Sequence, residues 1–152
     1  MGPLAFSDSE APSRLNLRVL VVDHDERVRR SAHSVLGRLG CIVETARDGR
    51  EALTMAKLSS YDAMLADIRL PDLSGYAVYR ALREAQPNAH VILMTGYGYD
   101  AGHSLVKARQ EGLRHVLFKP FRVDQLRDAL MNLRPAAPPV LSAQPVSAKG
   151  EG

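Results

Sequence analysis

The chain alternates between short apolar runs and longer stretches whose apolar residues share one face. RVLVV at 18–22 carries three valines, and its brevity and β-branching predict a buried strand. Between Asp25 and Gly40 the apolar residues are Val28, Ala32, Val35, Leu36 and Leu39. That spacing lines one face of a helix, with Asp25 as its N-cap and Gly40 as its stop. Cys41, Ile42 and Val43 open a second strand, and Ala52, Leu53 and Ala56 mark the helix after it. AMLA at 63–66 predicts a third strand that ends at Asp67. The loop DIRLPDLSG then leads into a helix with Ala77, Val78, Ala81, Leu82 and Ala85. VILMT at 91–95 reads as the fourth strand, 101–111 as a helix and HVLF at 115–118 as the fifth strand. Val123, Leu126, Leu130 and Leu133 mark a last helix. Five short apolar strands alternating with helices predict an α/β fold, a doubly wound parallel sheet with helices on both faces.

Composition narrows this picture. In 152 residues, 45% apolar and 24% charged, one domain fits and a two-domain enzyme hardly does. Residues 1–16 are small, polar and proline-containing, and read as a flexible N-terminal tail. From Pro135 onward PAAPPVLSAQPVSAKGEG lacks aromatic residues and the apolar surface to offset ordering entropy, so 135–152 reads as a flexible tail or linker. The expected ordered domain is 17–134. No apolar run approaches the ~20 residues of a membrane span, and the N-terminal residues lack the pattern of a signal peptide. Cys41 is the one cysteine, expected as a small buried hydrophobe in a reducing, cytoplasmic setting. A net charge of +3 is too weak to argue for direct nucleic-acid binding. Arg27, Arg29 and Arg30 form the one loose basic cluster, expected as a solvated helix face. The histidines His33, His90, His103 and His115 are scattered without metal-ligand spacing.

In doubly wound sheets ligands sit beyond the carboxyl ends of the strands. The residues there are Asp23, His24 and Asp25 after the first strand, Asp67 after the third, Thr95 after the fourth, and Lys119-Pro120 after the fifth. Taken singly, an Asp after a strand is equally a helix cap, and a lone Thr or Lys is structural or solvated. Their coincidence on one edge is what points to chemistry. Carboxylates that converge raise each other's pKa unless a cation sits among them, and Mg2+ suits an all-oxygen pocket. Metal, lysine and hydroxyl together hold a phosphoryl group against an attacking carboxylate. The glycines of TGYG at 95–98 do not have the spacing of a phosphate-cradling loop.

Four segments in order, VLVVDHDERVRR, YDAMLADIRLPDLSGYAVYRALR, VILMTGYG and VLFKPF, resemble the receiver domains of two-component response regulators and hybrid histidine kinases. The resemblance covers about residues 18–133 and implies a flavodoxin-like strand order, 2-1-3-4-5. Asp67, followed by Pro71 and Gly75, resembles the phosphoacceptor segment. Thr95 is similar to the family's hydroxyl switch residue, and Lys119 to its phosphoryl-contacting lysine, which usually precedes a cis-proline. By this resemblance Asp67 accepts a phosphoryl group from a phosphohistidine on a histidine kinase or histidine phosphotransfer protein. Mg2+ is held by Asp23, Asp67, the Arg69 backbone carbonyl and the residue at position 24. The surface of helix 4, strand 5 and helix 5 then responds, and is the expected face for homodimerisation. The implied role is a signalling module, with self-catalysed phosphotransfer and autodephosphorylation as its only chemistry.

Two positions depart from the family pattern. The second acidic residue after strand one is replaced by His24, and the aromatic residue three before the lysine is Val116. Tyr97 and Tyr99 lie near in sequence. The departures leave one alternative, an unphosphorylated interaction domain of the same fold. A phosphatase of the haloacid-dehalogenase type is the enzyme alternative, resting on Asp23-x-Asp25 with Thr95 and Lys119. It leaves no room for that family's flap and leaves Asp67, Pro71 and Gly75 without a role.

Overall fold

The computed structural model describes residues 14–96 and 102–132. The elements run β1 (Arg18–Val22), α1 (Glu26–Arg38), β2 (Ile42–Ala46), α2 (Gly49–Leu58), β3 (Ala63–Asp67), α3 (Gly75–Ala85), β4 (His90–Thr95), α4 (Gly102–Gln110), β5 (Val116–Phe118) and α5 (Val123–Met131). All strand pairs are parallel, in the order β2-β1-β3-β4-β5. The alternation predicted from apolar patterning is therefore the observed one, as is the strand order that the resemblance implied.

The central strands are buried on both sides because helices cover both faces. Leu20, Val22, Met64, Ala66 and Leu93 point into one core, shared with α2, α3 and α4. Val19, Val21, Leu65, Ile92 and Met94 point into the other, shared with α1 and α5. Alternation along each strand thus feeds two separate apolar layers, and the sheet is fixed from above and below. A Leu36→Ala change would remove a fully buried side chain of α1, in the class that costs ~2–5 kcal/mol.

The helices start where side chains satisfy their first N–H groups. Asp25 accepts from Arg27 N–H at 2.8 Å, Asp48 from Glu51 N–H at 2.9 Å and Ser74 from Ala77 N–H at 3.2 Å. α1 stops at Gly40, whose φ of +88° is favourable for glycine. Leu15, expected in the N-terminal tail, is instead 2% exposed and donates its N–H to the Leu39 carbonyl at 2.8 Å. The packed body begins earlier than 17 because this leucine docks on the C-terminal end of α1. Cys41 is half-buried, and burial pushes its thiol above the ordinary range. Tyr97, Tyr99, Leu133 and the segment 135–152 lie outside the described residues. No described helix is long and apolar enough to cross a membrane.

Close packing joins the loop after β3 to its helix. A Cβ on Gly75 would stand 2.8 Å from Ile68 Cβ, and Ile68 directly follows Asp67. We expect Gly75→Ala to destabilise the fold by ~1–3 kcal/mol, as overpacking does. Chemical denaturation measures it; an unchanged midpoint would show that Ile68 yields freely.

Candidate functional site

The carboxyl ends of β1, β3, β4 and β5 meet at one edge of the sheet. Three polar residues are buried among the described residues, and all are there: Asp23, Asp67 and Thr95, at 1%, 6% and 3% exposure. The strand register explains their convergence. Val22 pairs with Ala66, which sets Asp23 beside Asp67 at the ends of neighbouring strands. Thr95 pairs with Phe118, which sets Lys119 next to it across β4 and β5. The Lys119 N–H donates to the Thr95 carbonyl at 2.7 Å, and the Lys119–Pro120 bond is cis.

Lys119 reaches across the edge. Its Nζ donates to Asp23 Oδ2 at 2.9 Å and to Asp67 Oδ2 at 3.4 Å. The other oxygens are held by backbone: Asp25 N–H donates to Asp23 Oδ1 at 2.9 Å, and Arg69 N–H to Asp67 Oδ1 at 3.3 Å. Burial, and then the Asp23 charge, push the Asp67 carboxyl above the usual carboxylate range, while Lys119 and the Arg69 N–H pull against this. Burial alone would lower Lys119, but its hydrogen bond to Asp23 and the charges of Asp23 and Asp67 keep it protonated above its ordinary range. The site is thus a pair of buried carboxylates bridged by one ammonium.

A raised Asp67 pKa makes the ionised carboxylate a cost to folding. Below the unfolded carboxyl range both states hold the proton and the cost is absent. It builds as pH rises through the folded pKa and is full above it. Asp67→Asn should therefore raise stability at pH 7, by on the order of 1 kcal/mol, and the gain should shrink as pH falls toward 4. Denaturation at the two pH values measures it; a variant less stable at pH 7 would mean that Lys119 outweighs burial.

The donor set fits Mg2+. Two buried carboxylates supply hard oxygen ligands, and this metal is commonly bound by one or two carboxylates with several waters. Among the described residues, no group of three or more His, Cys, Asp or Glu side chains forms a metal pocket. His24 is exposed beside Asp23 and does not complete a cage. Asp25 is turned away, capping α1 and paired with Arg27 at 3.4 Å, and these hydrogen bonds hold its carboxyl below the usual range. Asp23 and Asp25 consequently serve different partners, and α1 begins directly after them, as the case against a phosphatase requires. Val116 is half-buried at the start of β5, packed on the core; Phe118, the aromatic residue of that strand, is 65% exposed.

Two residues shape the site without standing out in the sequence. Arg29, expected in a solvated basic cluster, folds back and donates to the carbonyls of Asp23 at 2.7 Å and His24 at 3.1 Å. It clamps the turn that carries the first carboxylate. Arg27 and Arg30 do face solvent, paired with Asp25 and Glu26. Asp72, in the loop after Asp67, accepts from Gly49 N–H and Arg50 N–H at 2.9 Å each. These bonds hold its carboxyl low against the opposing effect of burial, and they staple the loop to the N-terminus of α2.

Residues 19–131 match the model of the response regulator receiver domain. The response regulator MprA of Mycolicibacterium vanbaalenii is 36% identical over 110 residues, covering 72% of this chain and 47% of that protein. The chain spans about half the length of the curated relatives it matches. A receiver domain protein from Clostridium thermocellum superposes with a TM-score of 0.69 at 29% identity, covering 76% of this chain and 92% of that one. The receiver domain of a Pseudomonas aeruginosa sensor histidine kinase, with a magnesium ion coordinated in its active site cleft, superposes with a TM-score of 0.66 at 30% identity, covering 78% and 97%.

Proposed function

The chain belongs to the response regulator receiver family of two-component signalling, and from that premise we propose that Asp67 accepts a phosphoryl group from a phosphohistidine on a histidine kinase or histidine phosphotransfer protein. The observation that carries this reading is the reach of Lys119 Nζ to both Asp23 and Asp67 at the edge where the strands end. In the transfer, an Asp67 oxygen attacks phosphorus, the partner's P–N bond breaks, and the bonding pair leaves with the imidazole, which takes up a proton. Lys119 faces the charge that accumulates on the phosphoryl oxygens, and the Thr95 hydroxyl is the neutral donor on the neighbouring strand. Asp23, Asp67 and the Arg69 carbonyl are the residues that would hold Mg2+. Bound there, the metal supplies positive charge against the phosphoryl oxygens.

Phosphorylation exchanges one carboxylate charge for a larger anion, which competes for Lys119 and draws on Thr95. Both residues connect to the β4–β5 side of the sheet, so the surface of α4, β5 and α5 is the one positioned to respond. Val106, Phe118 and Val123 are exposed on those three elements. This supports a docking or homodimer face there.

The test is incubation of the chain with Mg2+ and acetyl phosphate, followed by intact-mass measurement. One acid-stable, base-labile phosphoryl group per chain is the expected product, with acetate leaving in place of the imidazole. An unlabelled chain under these conditions would instead favour an interaction module of the same fold that is not phosphorylated.

A further inference from the structure

The sheet edge opposite Asp67 carries a second convergence of titratable side chains. β4 begins at His90, and parallel pairing sets Val116 of β5 beside Leu93. His115, directly before β5, arrives at the same edge, and its carbonyl accepts from Leu93 N–H at 3.3 Å. His90, His115, Arg83 and Arg114 line an open cleft of about 400 Å³, with Ala89 and Val91 among its apolar residues. β4 itself separates this cleft from the first site, with His90 at one end and Thr95 at the other.

The cleft is built, and its charge is not cancelled. Arg83 is fixed by donating to the Tyr79 hydroxyl at 2.9 Å and to the Glu111 carbonyl. A Cβ on Gly112 would stand 2.6 Å from Arg83 Nη1, and the residue has φ +115°, so the turn passes this guanidinium only as glycine. Glu111 is the one carboxylate on the cleft wall, and its side chain is engaged by the Tyr76 hydroxyl. Arg114, His90 and His115 have no side-chain hydrogen bond or ion pair among the described residues. Burial, then His115 and Arg114, lower the pKa of His90, with Asp62, the residue before β3, acting the other way. Two guanidiniums beside two imidazoles repel a metal cation, and no third metal ligand joins them.

We propose that this cleft binds a small phosphate-bearing anion, held by Arg83 and Arg114 with His90 and His115 as further donors. Guanidinium forks match phosphate oxygens in pairs, and an imidazole donates twice once protonated. Ala89 and Val91 in the lining offer apolar contact to an organic group on the same ligand.

Titration of the full chain with inorganic phosphate and with pyrophosphate, followed through the histidine ring resonances by NMR, tests this. Saturable movement of His90 and His115 is expected, tighter for pyrophosphate than for phosphate. Arg114 is exposed, so Arg114→Ala should fold normally, checked by an unchanged Tm, and should weaken binding about tenfold. Three outcomes overturn the proposal: no saturable movement by about 10 mM pyrophosphate, equal affinity in Arg114→Ala, or movement confined to His24. The last would put the anion at the Asp67 edge.

Discussion

Asp67→Asn is expected to abolish incorporation of phosphate from acetyl phosphate, while the variant folds at least as stably as the wild type. An amide has neither the charge nor the nucleophilic oxygen of a carboxylate, so no acyl phosphate forms. The substitution is nearly isosteric, and Lys119 keeps its 2.9 Å contact with Asp23, so loss of labelling cannot be ascribed to collapse of the site. Asp23 is the control. It is more deeply buried than Asp67, at 1% against 6% exposure, and both of its oxygens are engaged, one by Asp25 N–H and one by Lys119. Asp23→Asn should slow labelling and leave the modified residue unchanged. Full labelling of Asp67→Asn would move the phosphoacceptor elsewhere and take the proposed mechanism with it.

The fold was legible because its information is local. A valine-rich run of five residues, or a stripe such as Val28, Ala32, Val35, Leu36 and Leu39, reports burial without knowledge of any distant residue. Caps are equally local: Asp25 sits two residues from the N–H it accepts. The first candidate site was legible for a related reason. Its residues come from strand ends, and in a parallel sheet the strand ends share one edge by construction.

What escaped depends on partners far along the chain. Asp72 caps a helix that begins 23 residues earlier, and nothing in PDLSG names that partner. Arg29 belongs to a stretch with three arginines, and only the backbone turn at Asp23 and His24 distinguishes it from its solvated neighbours. Leu15 resembles the residues before it until the end of α1 is in place to receive it. His90 and His115 look scattered at 25 positions apart. The β4–β5 register brings His115 opposite Ile92, two residues along β4 from His90, and register is a property of the sheet that neither strand carries alone.

His24→Asp should tighten Mg2+ binding by on the order of 10- to 100-fold, the worth of one added charged ligand at ~1–3 kcal/mol. Position 24 follows a buried carboxylate, is exposed at the rim, and has its carbonyl fixed by Arg29. An aspartate there would add a hard oxygen and a negative charge, where imidazole offers a softer nitrogen that suits Zn2+ or Ni2+ better. Asp25 does not compensate for its absence. Its carboxylate caps α1 and pairs with Arg27, and turning inward would forfeit a cap worth ~1 kcal/mol. Asp25→Ala should accordingly destabilise the chain by about that amount and leave Mg2+ affinity nearly unchanged. Metal titration of the wild type and both variants, alongside denaturation curves, separates the two roles. Faster labelling of Asp67 in His24→Asp should accompany the tighter metal. Unchanged affinity in that variant would place position 24 outside the metal's ligand shell, and a large loss in Asp25→Ala would hand the missing ligand to Asp25 instead.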